Sequence, residues 1–123
     1  MADITQQRLE LFPDTVEIVA TASGETLAIA GCDLAALADR YGTPLYLYDR
    51  ATLDAAVSTY RAALNALYPF TSGITYAGKA FLCTAVVQWA DRNELWVDFT
   101  GVGELKIAGA AGMRQDRILV HGV

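Results

Sequence analysis

A lysine, an aspartate and a histidine stand at matching points of a repeating pattern. Lys79 follows the run Gly73-Ile-Thr-Tyr-Ala-Gly78, Asp98 lies near the end of Glu94-Leu-Trp-Val-Asp-Phe99, and His121 closes Arg117-Ile-Leu-Val-His121. Each run is short, apolar and bounded by turn or helix signals, which predicts a strand. In parallel α/β architectures the loops at the carboxyl ends of the strands converge on one crevice or barrel mouth. Three residues spaced one βα unit apart can therefore share a site without being close in sequence. The chemistry on offer is that of an amine. Lys79 has Tyr76, Ala77, Ala80 and Phe81 as sequence neighbours, and burial among them would disfavour the ammonium and free the amine for Schiff-base formation. Glu104 adds a second acid shortly after Asp98.

Each residue also has a plain structural use. A lysine that ends a strand is commonly a solvated edge residue, Asp98 can cap the helix that follows it, and the only histidine can simply be hydrogen-bonded at a strand end. Glu104 is equally a favourable charge in the first turn of a helix. Gly101 and Gly103 suggest a phosphate loop, but the third glycine of G-x-G-x-x-G would fall where Lys106 stands, so a dinucleotide site of that type is rejected.

The elements that must carry these residues follow from periodicity. Thr15-Val-Glu-Ile-Val-Ala and Glu25-Thr-Leu-Ala-Ile-Ala, joined through Ser23-Gly24, predict a β-hairpin. Asp33 caps a short helix with Leu34, Leu37, Ala38 and Tyr41 on one face, stopped by Gly42. Pro44 opens a strand, Leu45-Tyr-Leu-Tyr48, and Asp49 caps a longer helix in which Leu53, Val57, Tyr60, Leu64 and Leu67 recur at helical spacing. The strand ending at Gly78 precedes a helix with Leu82, Ala85, Val86 and Trp89 inward; a further helix, Glu104 to Ala111, stops at Gly112 before the strand of His121. Strands alternating with helices argue for βαβ units, a parallel sheet and right-handed crossovers.

Composition bounds the partners. The chain has 123 residues, 54% of them hydrophobic and 19% charged, enough apolar surface to fill a core. A net charge of -5 repels polyphosphate, so no nucleic-acid partner is expected. The uncharged stretch from Ala62 to Gly78 contains Asn65, Pro69 and Gly73 and would break within a bilayer. With no basic leader ahead of an apolar run and with Cys32 and Cys83 in neither a metal nor a disulfide spacing, the expectation is a cytoplasmic protein with no bound metal, its cysteines small buried residues.

Four words in order, Tyr41-Gly-Thr-Pro-Leu-Tyr-Leu-Tyr-Asp49, Tyr76-Ala-Gly-Lys-Ala80, Val97-Asp98 with Gly103-Glu-Leu105, and Arg117-Ile-Leu-Val-His-Gly122, resemble the N-terminal part of diaminopimelate decarboxylase, a fold-type III pyridoxal-phosphate enzyme of lysine biosynthesis. The Leu11-Phe-Pro13 lead-in and the hairpin before Asp33 fit too, so the resemblance covers nearly the whole chain. It implies an α/β fold: the first three or four βα units of a (β/α)8 TIM-type barrel, preceded by an N-terminal β-hairpin. Residues 1–32 would belong to the family's β-domain and residues 33–123 to the cofactor-binding barrel. By the same resemblance Lys79 matches the catalytic lysine that binds pyridoxal 5'-phosphate, Asp98 and Glu104 match acidic positions of the early barrel that give electrostatic and hydrogen-bonding support near it, and His121 matches the family's His-Gly-Asn segment rather than the histidine that stacks on the cofactor ring; Asp98, Glu104 and His121 are expected with Lys79 among the cofactor-binding residues.

The implied activity is decarboxylation of meso-diaminopimelate to L-lysine, with a small amino-acid substrate and a homodimer or higher homo-oligomer. Ornithine, arginine or carboxynorspermidine are alternative substrates, and a non-catalytic, self-associating half-barrel is an alternative of another class. Two departures stand out. Where the family reads Asp-Val-Val-Ser-Gly-Gly-Glu-Leu, this chain has Asp98-Phe-Thr-Gly-Val-Gly-Glu-Leu105, and Val123 replaces an asparagine. The family's phosphate loop, the acid that pairs with the pyridine nitrogen and the substrate residues supplied across a dimer have no counterpart here, so the 123-residue chain alone is expected to be inactive.

Overall fold

The structure, a computed structural model, describes residues 9–22 and 24–122. The chain divides into two compact units, Met1–Ser58 and Thr59–Val123.

In the first unit β1 (Val16–Thr21) pairs antiparallel with β2 (Gly24–Ile29), Val16 opposite Ile29 and Thr21 opposite Gly24. This is the expected hairpin, and Gly24 takes φ 126° at its turn; Ser23 lies outside the described residues. A second tight turn, which the alternation did not reveal, follows at once. Ala30 and Gly31 both adopt positive φ, 51° and 73°, and return the chain as β3 (Cys32–Asp33) against β2. Two positive φ angles are the requirement of a two-residue turn that matches strand twist, and Gly31 was its sequence signal.

Asp33 caps α1 (Leu34–Tyr41) as expected: its Oδ1 accepts from the Ala35 and Ala36 amides at 2.8 and 3.3 Å. Gly42 ends the helix at φ 81°, its N–H donating to the Ala38 carbonyl. Asp49 opens α2 (Arg50–Leu67) with a fuller set of bonds. Its carboxylate accepts from the Thr52 hydroxyl at 2.6 Å, the Thr15 hydroxyl at 2.8 Å and the Ala51 and Thr52 amides at 3.1 and 3.3 Å. These bonds hold its pKa below the ordinary carboxylate value, the Thr52 hydroxyl being the largest cause and burial pulling the other way.

Two expectations for this part of the chain need correction. Residues 45–48 form no strand: both described sheets are built from other segments, and Leu45 to Tyr48 remain exposed without a ladder to join. Cys32 is exposed rather than buried, because it sits in the short strand β3 at the sheet edge; both thiols are free. In α2 the predicted stripe exists in sequence but is only partly covered, with Val57 buried while Tyr60 and Leu67 are 66% and 84% exposed.

The second unit is the parallel sheet that the alternation predicted. Strands β4 (Thr75–Ala77), β5 (Trp96–Phe99) and β6 (Ile118–Val120) lie side by side in sequence order. The crossovers carry α3 (Thr84–Arg92) and α4 (Val102–Ala111), and Gly112 stops α4 in the left-handed conformation with φ 70°. Val97 and Phe99 are fully buried and alternate with half-buried Trp96 and Asp98, the period-two pattern of a strand with one covered face. Val87, Trp89, Ala90, Leu95, Ala108 and Met113 complete the buried set. Of the face expected inward in α3, Trp89 is buried and Val86 half-buried, but Ala85 is exposed and half-buried Leu82 precedes the helix; Val87 and Ala90 complete the buried side.

Candidate functional site at the carboxyl ends of the parallel strands

Register fixes where the predicted residues stand. Ala77, Asp98 and Leu119 form one row across β4, β5 and β6, so their side chains leave the same face of the sheet. That is the face opposite Val97 and Phe99, and Ala77 and Leu119 on it are exposed. His121 lies two residues beyond Leu119, and its backbone N–H donates to the Phe99 carbonyl at 3.2 Å, continuing the ladder past the end of β6. Its imidazole therefore returns to the side of Asp98, and Nδ1 lies 2.5 Å from Asp98 Oδ1. The spacing of the two residues predicted a shared strand end. The direct hydrogen bond was not legible, since it depends on the stagger of β5 against β6.

Lys79 sits in a single 3-10 turn, Gly78–Ala80, at the carboxyl end of β4. The structure corrects the expectation that apolar neighbours strip its hydration. Lys79 is exposed, as are Ala77, Ala80 and Phe81, and only Tyr76 is half-buried. The turn lifts residue 79 out of the strand's alternation, and the Tyr76 hydroxyl is directed elsewhere, donating to the Phe81 carbonyl at 2.7 Å. Among the described residues no carboxylate forms an ion pair with Lys79.

Gly78, which no motif singled out for chemistry, sets the position of that turn. It is buried, and a Cβ built on it would stand 2.6 Å from the Asp98 carbonyl oxygen. Only a residue without a side chain lets the turn carrying Lys79 lie against the strand carrying Asp98. The available signal was a glycine between a strand and a lysine, a place where close backbone approach is one standard reason for glycine.

Glu104 occupies the first turn of α4, half-buried, and its Oε2 accepts from the Thr100 amide at 2.7 Å. It reaches back one residue beyond the N-cap position that a capping-box glutamate bonds, and so ties the helix start to the loop after β5. The N-cap itself, Gly101, supplies no side-chain bond. A cavity of about 340 Å³ lined by Arg61, Glu94, Trp96 and Arg117 lies toward the amino ends of β5 and β6, away from Lys79, Asp98 and His121. Among the described residues no group of three or more His, Cys, Asp or Glu is placed to hold a metal, and no helix is long and apolar enough to cross a membrane.

No family model matches the chain. Against curated proteins it is 43% identical over 79 residues to a protein of Synechocystis and 38% identical over 96 residues to one of Bacillus subtilis, covering 64% and 78% of this chain. Both of those proteins are named diaminopimelate decarboxylase. The chain is similar to diaminopimelate decarboxylases. The solved diaminopimelate decarboxylase of M. jannaschii is similar in structure as well, with a TM-score of 0.73 and 28% identity over 89% of this chain, and a second structure of it is a complex with L-lysine. The chain spans 17% and 22% of the two curated diaminopimelate decarboxylases and 25% of the solved one. The resemblance of the four sequence words thus extends to the fold, a mixed α/β chain with a parallel sheet.

Proposed function

We propose that this chain is the cofactor-lysine segment of a pyridoxal-phosphate-dependent amino-acid decarboxylase, that Lys79 holds the cofactor, and that the whole protein converts meso-diaminopimelate to L-lysine and CO2. The observation that carries the reading is Lys79 itself: an exposed amine with no ion-pair partner among the described residues, at the carboxyl end of a parallel strand, one strand from the Asp98–His121 pair. Such an amine is accessible to the aldehyde of pyridoxal phosphate. When bound, that group supplies an electron sink for the pair left on the α-carbon as the carboxylate departs.

The residues of this chain have complementary parts in the proposal. Gly78 fixes the turn that presents the amine, Asp98 and His121 form the polar pair beside it, and Glu104 steadies the loop after β5 through the Thr100 amide. The open face of the β4–β5–β6 sheet supports a barrel reading. A parallel sheet is normally covered on both faces, and in a (β/α)8 barrel the face away from the helices lines the closed interior. On this reading residues 1–32 belong to a β-domain, residues 33–123 form the first βα units, and the protein is a homodimer or larger homo-oligomer located in the cytoplasm. The L-lysine complex of the M. jannaschii enzyme favours diaminopimelate over ornithine, arginine or carboxynorspermidine as substrate.

Borohydride reduction of the protein loaded with pyridoxal phosphate, followed by peptide mapping, tests the assignment. The pyridoxyl group is expected on Lys79. Recovery on Lys106 would refute it.

A further inference from the structure

We propose that Asp98 is a positioning residue for His121: it holds the imidazole as the Nδ1–H tautomer and so presents an unprotonated Nε2 as a hydrogen-bond acceptor at the carboxyl end of the sheet. The tautomer follows from the contact. Nδ1 and Asp98 Oδ1 are 2.5 Å apart, and a carboxylate offers lone pairs only, so the proton between them is the ring's. A neutral imidazole has one N–H, which leaves Nε2 with its lone pair.

The fold makes the arrangement persistent. Asp98 is the third residue of β5, the middle strand, and the His121 amide is tied to the Phe99 carbonyl one residue further along the same strand. The ring is thus anchored from its own backbone and from its Nδ1 by one strand. His121 remains about half exposed, its side chain 53% accessible against 29% for Asp98.

His121 is the only histidine, so a long-range proton–nitrogen correlation spectrum of the chain, labelled with 15N, reads its ring without assignment. The expected result at neutral pH, without cofactor, is a protonated Nδ1, an unprotonated Nε2 and a low-field Nδ1 proton. In Asp98→Ala the proton moves to Nε2 or averages over both nitrogens. A wild-type ring protonated on Nε2 overturns the proposal even if the variant does not fold.

Discussion

Replacing Gly78 by alanine is the sharpest probe of how the site is assembled. The added methyl would stand 2.6 Å from the Asp98 carbonyl oxygen, with the Asp98 carbonyl carbon and Leu82 Cδ1 both at 3.7 Å. The obstacle is backbone in the central strand, so relief requires the Lys79 turn or β5 itself to move. Overpacking of this kind costs about 1–3 kcal/mol. The loss of chain entropy in the unfolded state works the other way, worth about 0.4–1 kcal/mol for glycine to alanine. The mid-range net is a destabilisation of roughly 1–1.5 kcal/mol, or about 4–12 °C in the unfolding midpoint at roughly 4–8 °C per kcal/mol. Both tryptophans, Trp89 and Trp96, lie in the unit Thr59–Val123, so tryptophan fluorescence during thermal unfolding reports that unit alone. Gly103→Ala provides the opposite sign from the same chemical change. Gly103 lies in α4 with nothing within 4 Å of a built Cβ, and alanine in a helix is better than glycine by about 0.5–1 kcal/mol. A Gly78→Ala midpoint equal to or above that of the wild type would refute the close-approach argument and, with it, the account of how Lys79 is placed.

Other outcomes follow from single contacts. Gly101→Ser restores a hydroxyl at the α4 N-cap, which has no side-chain bond, and should stabilise by a few tenths of a kcal/mol in denaturant unfolding. Phe99→Ala empties a fully buried site at a cost of about 3–5 kcal/mol, visible as loss of the cooperative fluorescence transition. The lowered pKa of Asp49 means that its contribution to stability is complete above the unfolded carboxylate value, about 3.9, and is lost as pH falls through the folded value below that. Amide-exchange protection of β1 and β2 should therefore weaken in this acid range in the wild type and be insensitive to it in Asp49→Asn, which keeps a capping oxygen without the charge. Light scattering of the chain at micromolar concentration should show self-association, since β4 and β6 are sheet edges and Leu67, Tyr60 and Phe70 are largely exposed; a clean monomer would contradict this.

What the sequence determined by itself was local and periodic. The hairpin, the Asp33 and Asp49 caps, the long helix and the order strand, helix, strand, helix, strand could all be read, because hydrogen bonds to neighbouring residues and a period of two or 3.6 are written in adjacent letters. The spacing of Lys79, Asp98 and His121 likewise announced a common strand end. Tertiary structure decided whatever required one segment to meet another. Residues 45–48 have the composition of a strand but no strand beside them, and a ladder is a property of two segments. Lys79 has apolar neighbours in sequence yet stands in solvent, because Ala77, Ala80 and Phe81 are themselves exposed around the 3-10 turn and form no cover over it. Gly78 is required by the Asp98 carbonyl and not by its own φ, and the Asp98–His121 bond exists because β6 runs beside β5 in one particular register. Register and close approach are distances between residues far apart in the chain, and those are fixed only when the sheet forms.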